Sequence, residues 1–214
     1  MRRIVCCATV AVLAAMVFAA QPGKTIPWQP VPLIHEDVAP PATVRHEMID
    51  GLTIAGWPIV LEKTSLRAAR QRFGGTIGQT GDAGGYLEWL CVEVNNPSDS
   101  SVLWLTASEI NGGRIDGLLW RNLEPYQHAD LRCKTLSGPH ANIELHKPIQ
   151  LGMSISTVEK TLGVPSKRQG NLAQYFYEGK TRIDGIPYTT GNSVNLCYRD
   201  GRVHEIEVSK TTTN

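Results

Sequence analysis

The feature that most constrains this chain is a repeat. "TSLRAARQRFGG" (64–75) and "MSISTVEKTLGV" (153–164) superpose with Ser65 on Ser154, Phe73 on Leu162 and Gly74 on Gly163. The same offset sets Gly81 on Gly170, Tyr86 on Tyr175 and Gly112 on Gly201. Upstream, "WPIVLE" (57–62) resembles "KPIQLG" (147–152) after one inserted residue. Self-similarity on this scale means that one supersecondary unit is used twice, so a fold that suits one copy must suit both.

Each copy reads the same way. A strand leads in, at 52–61 or 142–151. A serine then takes the helix N-cap, where its oxygen accepts from a backbone N–H that has no partner within the helix. Leu66, Ala69 and Phe73, or Ile155, Val158 and Leu162, put one apolar stripe on one helix face. Gly74 or Gly163 ends the helix, since glycine tolerates the left-handed conformation, and Pro165 opposes continuation. Strands follow at 86–94, 101–110 and 114–120, and again at 173–179, 193–199 and 202–208. Between them Asn111-Gly112-Gly113 and Asp200-Gly201 have hairpin chemistry. The expected fold is α+β: two tandem units, each a short helix packed on a small antiparallel sheet. The units span 51–125 and 148–210, with a connector at 126–147 and a tail at 211–214.

The N-terminus points to export. Residues 1–20 follow the order of a secretory signal peptide: the basic "MRR", an apolar run, then small residues before Gln21. Cleavage is expected after Ala19 or Ala20. The competing reading is a membrane anchor, for which the apolar run of about 17 residues is at the lower edge of bilayer length. Cys6 and Cys7 lie inside that run, too early for an acylated mature N-terminus. Residues 21–50 form a Pro-rich arm or linker, with Pro22, Pro27, Pro30, Pro32, Pro40 and Pro41. The other reading of this segment is a strap packed through Trp28.

The whole chain carries a formal charge of +1, and loss of Arg2 and Arg3 makes it −1. No global charge therefore favours nucleic acid, and no later run invites stable membrane insertion. Export exposes Cys91, Cys133 and Cys197 to an oxidising compartment. Cys91 and Cys133 share the first half and are expected to pair, leaving Cys197 free, although connectivity does not follow from sequence.

"LGMSISTVEKTLGVPSKR", followed by "YFYEG" and "VNLCYRDGRVHEIEV", resembles the SmpA/OmlA (BamE-like) module of outer-membrane assembly. The residues carrying the resemblance are Gly152, Met153, Ser154, Val158, Leu162, Gly163 and Pro165, then Tyr175, Tyr177, Asp200 and Gly201. Two such units in tandem resemble the build of the beta-lactamase inhibitor family. The likeness covers 148–208 well and the first unit loosely: Lys63-Thr64-Ser65 replaces Gly-Met-Ser, and no proline follows Gly75. It implies an exported, non-catalytic scaffold that binds another envelope or secreted protein, by inhibiting it or by assisting assembly. The alternative is a periplasmic hydrolase or small-ligand carrier with a site between the repeats.

Catalytic patterns are weak throughout. Ser154 lacks the second glycine of a nucleophile elbow, and its counterpart Ser65 has no adjacent glycine, so both read as caps. "FGGTIGQTGDAGGY" (73–86) follows a helix and precedes a strand, the reverse of a dinucleotide fingerprint. "EGKT" (178–181) lacks the leading glycine of a phosphate loop. His128, Cys133, His140 and His146 match no strong zinc spacing. Glu88 with Asp116 cannot be judged without distances. No cofactor or metal is therefore expected. The aromatics are more telling. Alternation sets Tyr175 and Tyr177 on one strand face and Phe176 on the other, and Trp89, Trp104, Tyr175 and Tyr177 are the candidate partner-binding residues.

Overall fold

The computed structural model describes residues 24–33, 42, 44, 46–82, 85–95, 100–138 and 141–213. The expected signal peptide at 1–20, part of the arm and His140 lie outside the described residues.

The chain runs β1 (Thr25–Ile26), β2 (Gly51–Ile54), β3 (Trp57–Val60), α1 (Leu66–Phe73), β4 (Ile77–Thr80), β5 (Leu87–Asn95), β6 (Ser100–Ser108), a 3-10 turn (Glu109–Asn111) and β7 (Gly117–Asn122). It continues with β8 (His128–Ala129), β9 (Lys134–Ser137), β10 (Ile143–Leu145), α2 (Ile155–Leu162), β11 (Lys167–Gln169), β12 (Leu172–Ile183), β13 (Ile186–Arg199) and β14 (Arg202–Thr213).

Both helices start and stop where the spacing places them. Ser65 accepts from the Ala68 N–H at 3.1 Å, and Ser154 accepts from that of Thr157 at 3.3 Å. Gly74 and Gly163 close the helices at φ 82° and 87°, in the left-handed region that glycine enters without strain. Each helix start is pinned to the last hairpin of its own repeat: Leu66 N–H donates to the Gly113 carbonyl at 2.9 Å, and Ile155 N–H to that of Gly201 at 3.3 Å. Gly113, rather than Gly112, is thus the structural counterpart of Gly201.

The architecture differs from the expected one. β7 and β14, the last strands of the two repeats, pair antiparallel along Gly117–Arg121 and Glu205–Ser209. The two meanders thereby fuse into a nine-stranded sheet of order β11-β12-β13-β14-β7-β6-β5-β4, with β9 parallel to β5 on its outer edge. The order reads symmetrically about the β14–β7 junction. Strand makes up 53% of the described residues and helix 11%. The expectation of two tandem helix-on-small-sheet units is therefore corrected to one large, mostly β assembly. The lead-in segments also change: 52–61 is a hairpin of β2 and β3, and 142–151 contributes only β10. These three strands make a second small sheet, order β10-β2-β3.

The physical reason lies in β6 and β7. Val102 and Trp104 are buried on one face of β6, and Leu103 and Leu105 on the other. Leu118, Leu119 and Trp120 are likewise all buried on β7. A strand that is apolar on both faces belongs inside a covered sheet, not at the end of a half-exposed one.

One face of the large sheet packs beneath α1, α2 and the β10-β2-β3 layer, in a core that joins Phe73, Leu103, Val158, Leu162, Ile206 and Val208. Fully burying one such side chain contributes about 1.5–3 kcal/mol. The opposite face is covered over the first repeat. There Ile26, Trp89, Cys91, Trp104, Ala129 and Cys133 cluster, with Trp28 and Leu33 packed on them. Trp28 meets Trp89 edge-on at 5.2 Å, and its carbonyl accepts from Trp104 Nε1 at 2.8 Å. β1 pairs parallel with β8. The described part of the Pro-rich segment is thus a strap on the sheet.

Asn192, fully buried, tethers the segment that follows. Its Oδ1 accepts from Met48 N–H at 2.9 Å and Ile49 N–H at 3.1 Å, and its Nδ2 donates to the carbonyls of Ile49 and Ser209, each at 3.0 Å.

Candidate functional site

Three of the four candidate partner-binding residues lie in the interior. Trp89 and Trp104 sit beneath the strap, at 2% and 1% exposure, and Tyr175 is fully buried beneath α2. Tyr177 is half-buried against the same helix-side core. The expected alternation holds: Tyr175 and Tyr177 turn inward, and Phe176 takes the other face. Burial pushes the Tyr175 phenol above its ordinary range, with the neighbouring Tyr198 adding to the effect. A phenol so placed has no acid–base role near neutrality.

Cys91 and Cys133 are disulfide-bonded, with Cα atoms 4.6 Å apart, and join β5 to the loop after β8. Cys197 is the free thiol among the described cysteines. It is half-buried, and burial, then Glu205, raise its pKa. The other polar groups serve the framework. Asp116 receives Ser108 N–H at 3.0 Å and Asn111 Nδ2 at 2.9 Å, closing the β6–β7 turn, while Glu88 accepts from the Tyr86 hydroxyl at 3.2 Å. Asp130 is held by the side chain of Arg132, which lowers its pKa to about 2, and the Arg132 guanidinium lies 4.2 Å from the Trp28 ring centre. His146 Nδ1 is 2.9 Å from Asp50. Among the described residues, no group of three or more His, Cys, Asp or Glu side chains could hold a metal ion.

The region that stands apart is the end of the β12–β13 hairpin. These strands run 12 and 14 residues, against 9 each for β5 and β6. The partner of β13 on its other side, β14, reaches only as far as Thr189. Beyond it, residues 180–187 form a two-stranded ribbon with every residue exposed. Its turn is Asp184-Gly185, at φ 51° and 83°, the paired left-handed conformation of a type I′ turn. Ile183 and Ile186 face each other across the tip, 47% and 50% exposed. The root of the ribbon is anchored by Tyr177, whose hydroxyl would overlap any Cβ placed on Gly179.

Beside the root lies an open groove of about 550 Å³, between the segment Val44–Met48 and the end of α2. Leu162, Val164 and Pro165 line one wall, and Val164 is 80% exposed. These are the closing residues of the repeat motif itself. Lys147 supplies a cationic group to the rim and His46 an imidazole, while Glu47 is paired with Lys210.

Ribbon and groove were both missed in the sequence. The signal for the ribbon is present as "RIDGIP", an Asp-Gly turn between isoleucines, yet "KT" and "YTTGN" around it lack strand-like apolar alternation. Set against protein-family models, curated proteins and solved structures, the chain matches none. The SmpA/OmlA resemblance rests on the residues quoted above.

Proposed function

We propose that the chain is an exported scaffold of the bacterial envelope that acts by protein contact, through the β12–β13 ribbon and the groove beside it. One observation carries this reading: Ile183 and Ile186 are held half-exposed on a two-stranded ribbon that, among the described residues, packs against no other element. A β-hairpin with no third strand and no core is marginal in water, and exposed β-branched pairs add aggregation risk without stabilising the domain. Such a feature is retained where it meets another surface. The disulfide supports a periplasmic or secreted location, since such bonds persist in oxidising compartments. Inhibiting a partner protein and assisting envelope assembly are the two forms this contact would take.

The test is site-specific photocrosslinking in cells that export the protein. A photoreactive residue replaces Ile183 in one variant and the exposed Arg67 of α1 in another. A discrete adduct from position 183 alone is expected. No adduct at 183, or the same ladder from both positions, would overturn the reading.

A further inference from the structure

We infer that the surface meeting this ribbon is a second copy of the same chain, joined edge to edge along β12 in a symmetric dimer. This rests on the reading of the ribbon as a contact element and goes beyond it by naming the partner.

Among the described residues, the outer edge of β12 is covered only at its root. β11 pairs with residues 172–174. Next, Phe176 N–H donates to Ser166 Oγ at 3.0 Å, and the Phe176 carbonyl accepts from Val44 N–H at 3.3 Å. Both outward groups of Phe176 are thus used. Strand periodicity turns the N–H and C=O of Glu178, Lys180 and Arg182 the same way. Among the described residues, no backbone bond reaches them from outside the hairpin. An exposed edge of this kind is a template for another strand.

Two copies of this edge fit each other in one antiparallel register, centred on Lys180. Glu178 then stands opposite Arg182 of the second copy, and Arg182 opposite its Glu178. Both pairs are at positions that exchange backbone hydrogen bonds. Lys180 meets its own copy across the axis, and these exposed ammonium groups are screened by solvent and salt. The same register brings Ile183 level with Tyr177 of the second copy. The turn at Asp184-Gly185 then reaches Phe176 of the second copy, where Val44 and the Pro165 wall of the groove begin.

The sides also agree. The dyad of a continuous antiparallel sheet is perpendicular to it, so the helix faces of both copies lie on the same side. Ile183 and Ile186 share the parity of Tyr175 and Tyr177, which is the helix side, and the groove is on that side. Each apolar tip therefore meets the apolar groove of the other copy. Pairing of a five-residue edge alone falls short of the roughly 1,000 Å² expected of a stable interface. The two tip-in-groove contacts supply apolar burial that the edge lacks.

The experiment is sedimentation equilibrium on the exported chain, with circular dichroism to confirm the fold of each variant. E178R and R182E each place like charges opposite one another twice per dimer, and each should weaken association roughly tenfold. The double variant E178R/R182E restores complementary pairs and should recover association. K180T relieves the repulsion on the axis and should tighten it. A chain that stays monomeric across the accessible concentration range, a double variant no better than the single ones, or weaker association for K180T would overturn the proposal. In a monomeric chain, a photocrosslink from position 183 to a different protein would leave the contact reading standing; loss of both signals would remove both.

Discussion

The two repeats share their helix chemistry and differ in how they treat their edges. In the first, β5 is flanked on its outer side by β4 and β9, tied by the Cys91–Cys133 disulfide and covered by the Trp28 strap. In the second, among the described residues, β12 is covered only near its root and then runs out into the ribbon. The serine cap, the apolar stripe, the closing glycine and the docking of the helix on its hairpin are common to both. The internal repeat therefore builds the frame, and the departures from it divide the labour. One half closes itself off, and the other presents an edge, a tip and a groove.

Breaking the closed half should have the largest effect. Replacing Cys91 and Cys133 together by alanine opens a crosslink spanning 42 residues and should cost about 2–5 kcal/mol, read as a lower midpoint in denaturant. Next comes the tether. Asn192→Ala leaves the N–H groups of Met48 and Ile49 buried without their acceptor, and about 2–3 kcal/mol should be lost. The shared frame gives the sharper comparison. Ser65→Ala and Ser154→Ala each remove one cap and should each cost about 1 kcal/mol. Clearly unequal losses would show that the two helices are not equivalent.

The smallest effect belongs to His204, buried in β14 at 8% exposure. Burial, then the Arg199 charge, lowers its pKa below the ordinary 6.5. The unfolded chain thus takes up this proton first as pH falls. Stability is full above 6.5 and declines as pH drops from there through the folded-state pKa. His204→Gln should flatten that part of the profile, measured as melting temperature against pH, while the cap variants keep it.

Local devices were legible in the sequence, and long-range pairings were not. Ser65, Ser154, Gly74 and Gly163 act on groups within four residues of themselves, so their types and spacing located both helices. Cys91 lies in the first unit and Cys133 in the connector just after it, ahead of the second unit that holds Cys197. The parity of Tyr175 and Tyr177 was legible because strand alternation is local. Which face was inward was not, because that depends on where α2 packs. The fusion of β7 with β14 joins segments distant in sequence, and its only local trace was burial-grade hydrophobicity on both faces of β6 and β7. The ribbon escaped notice because an exposed hairpin needs no apolar alternation. Its Asp-Gly turn was visible, and the charged strands around it read as loop.

The most direct measurement removes the ribbon alone. Residues 182–187 are replaced by Asn-Gly, joining Thr181 to Tyr188, two positions that pair across the hairpin in the same register as Ile183 and Ile186. If the ribbon is a contact element rather than part of the frame, the melting temperature stays at that of the intact chain, while self-association is abolished. A fall of several degrees in melting temperature, or association that survives the excision, would contradict it.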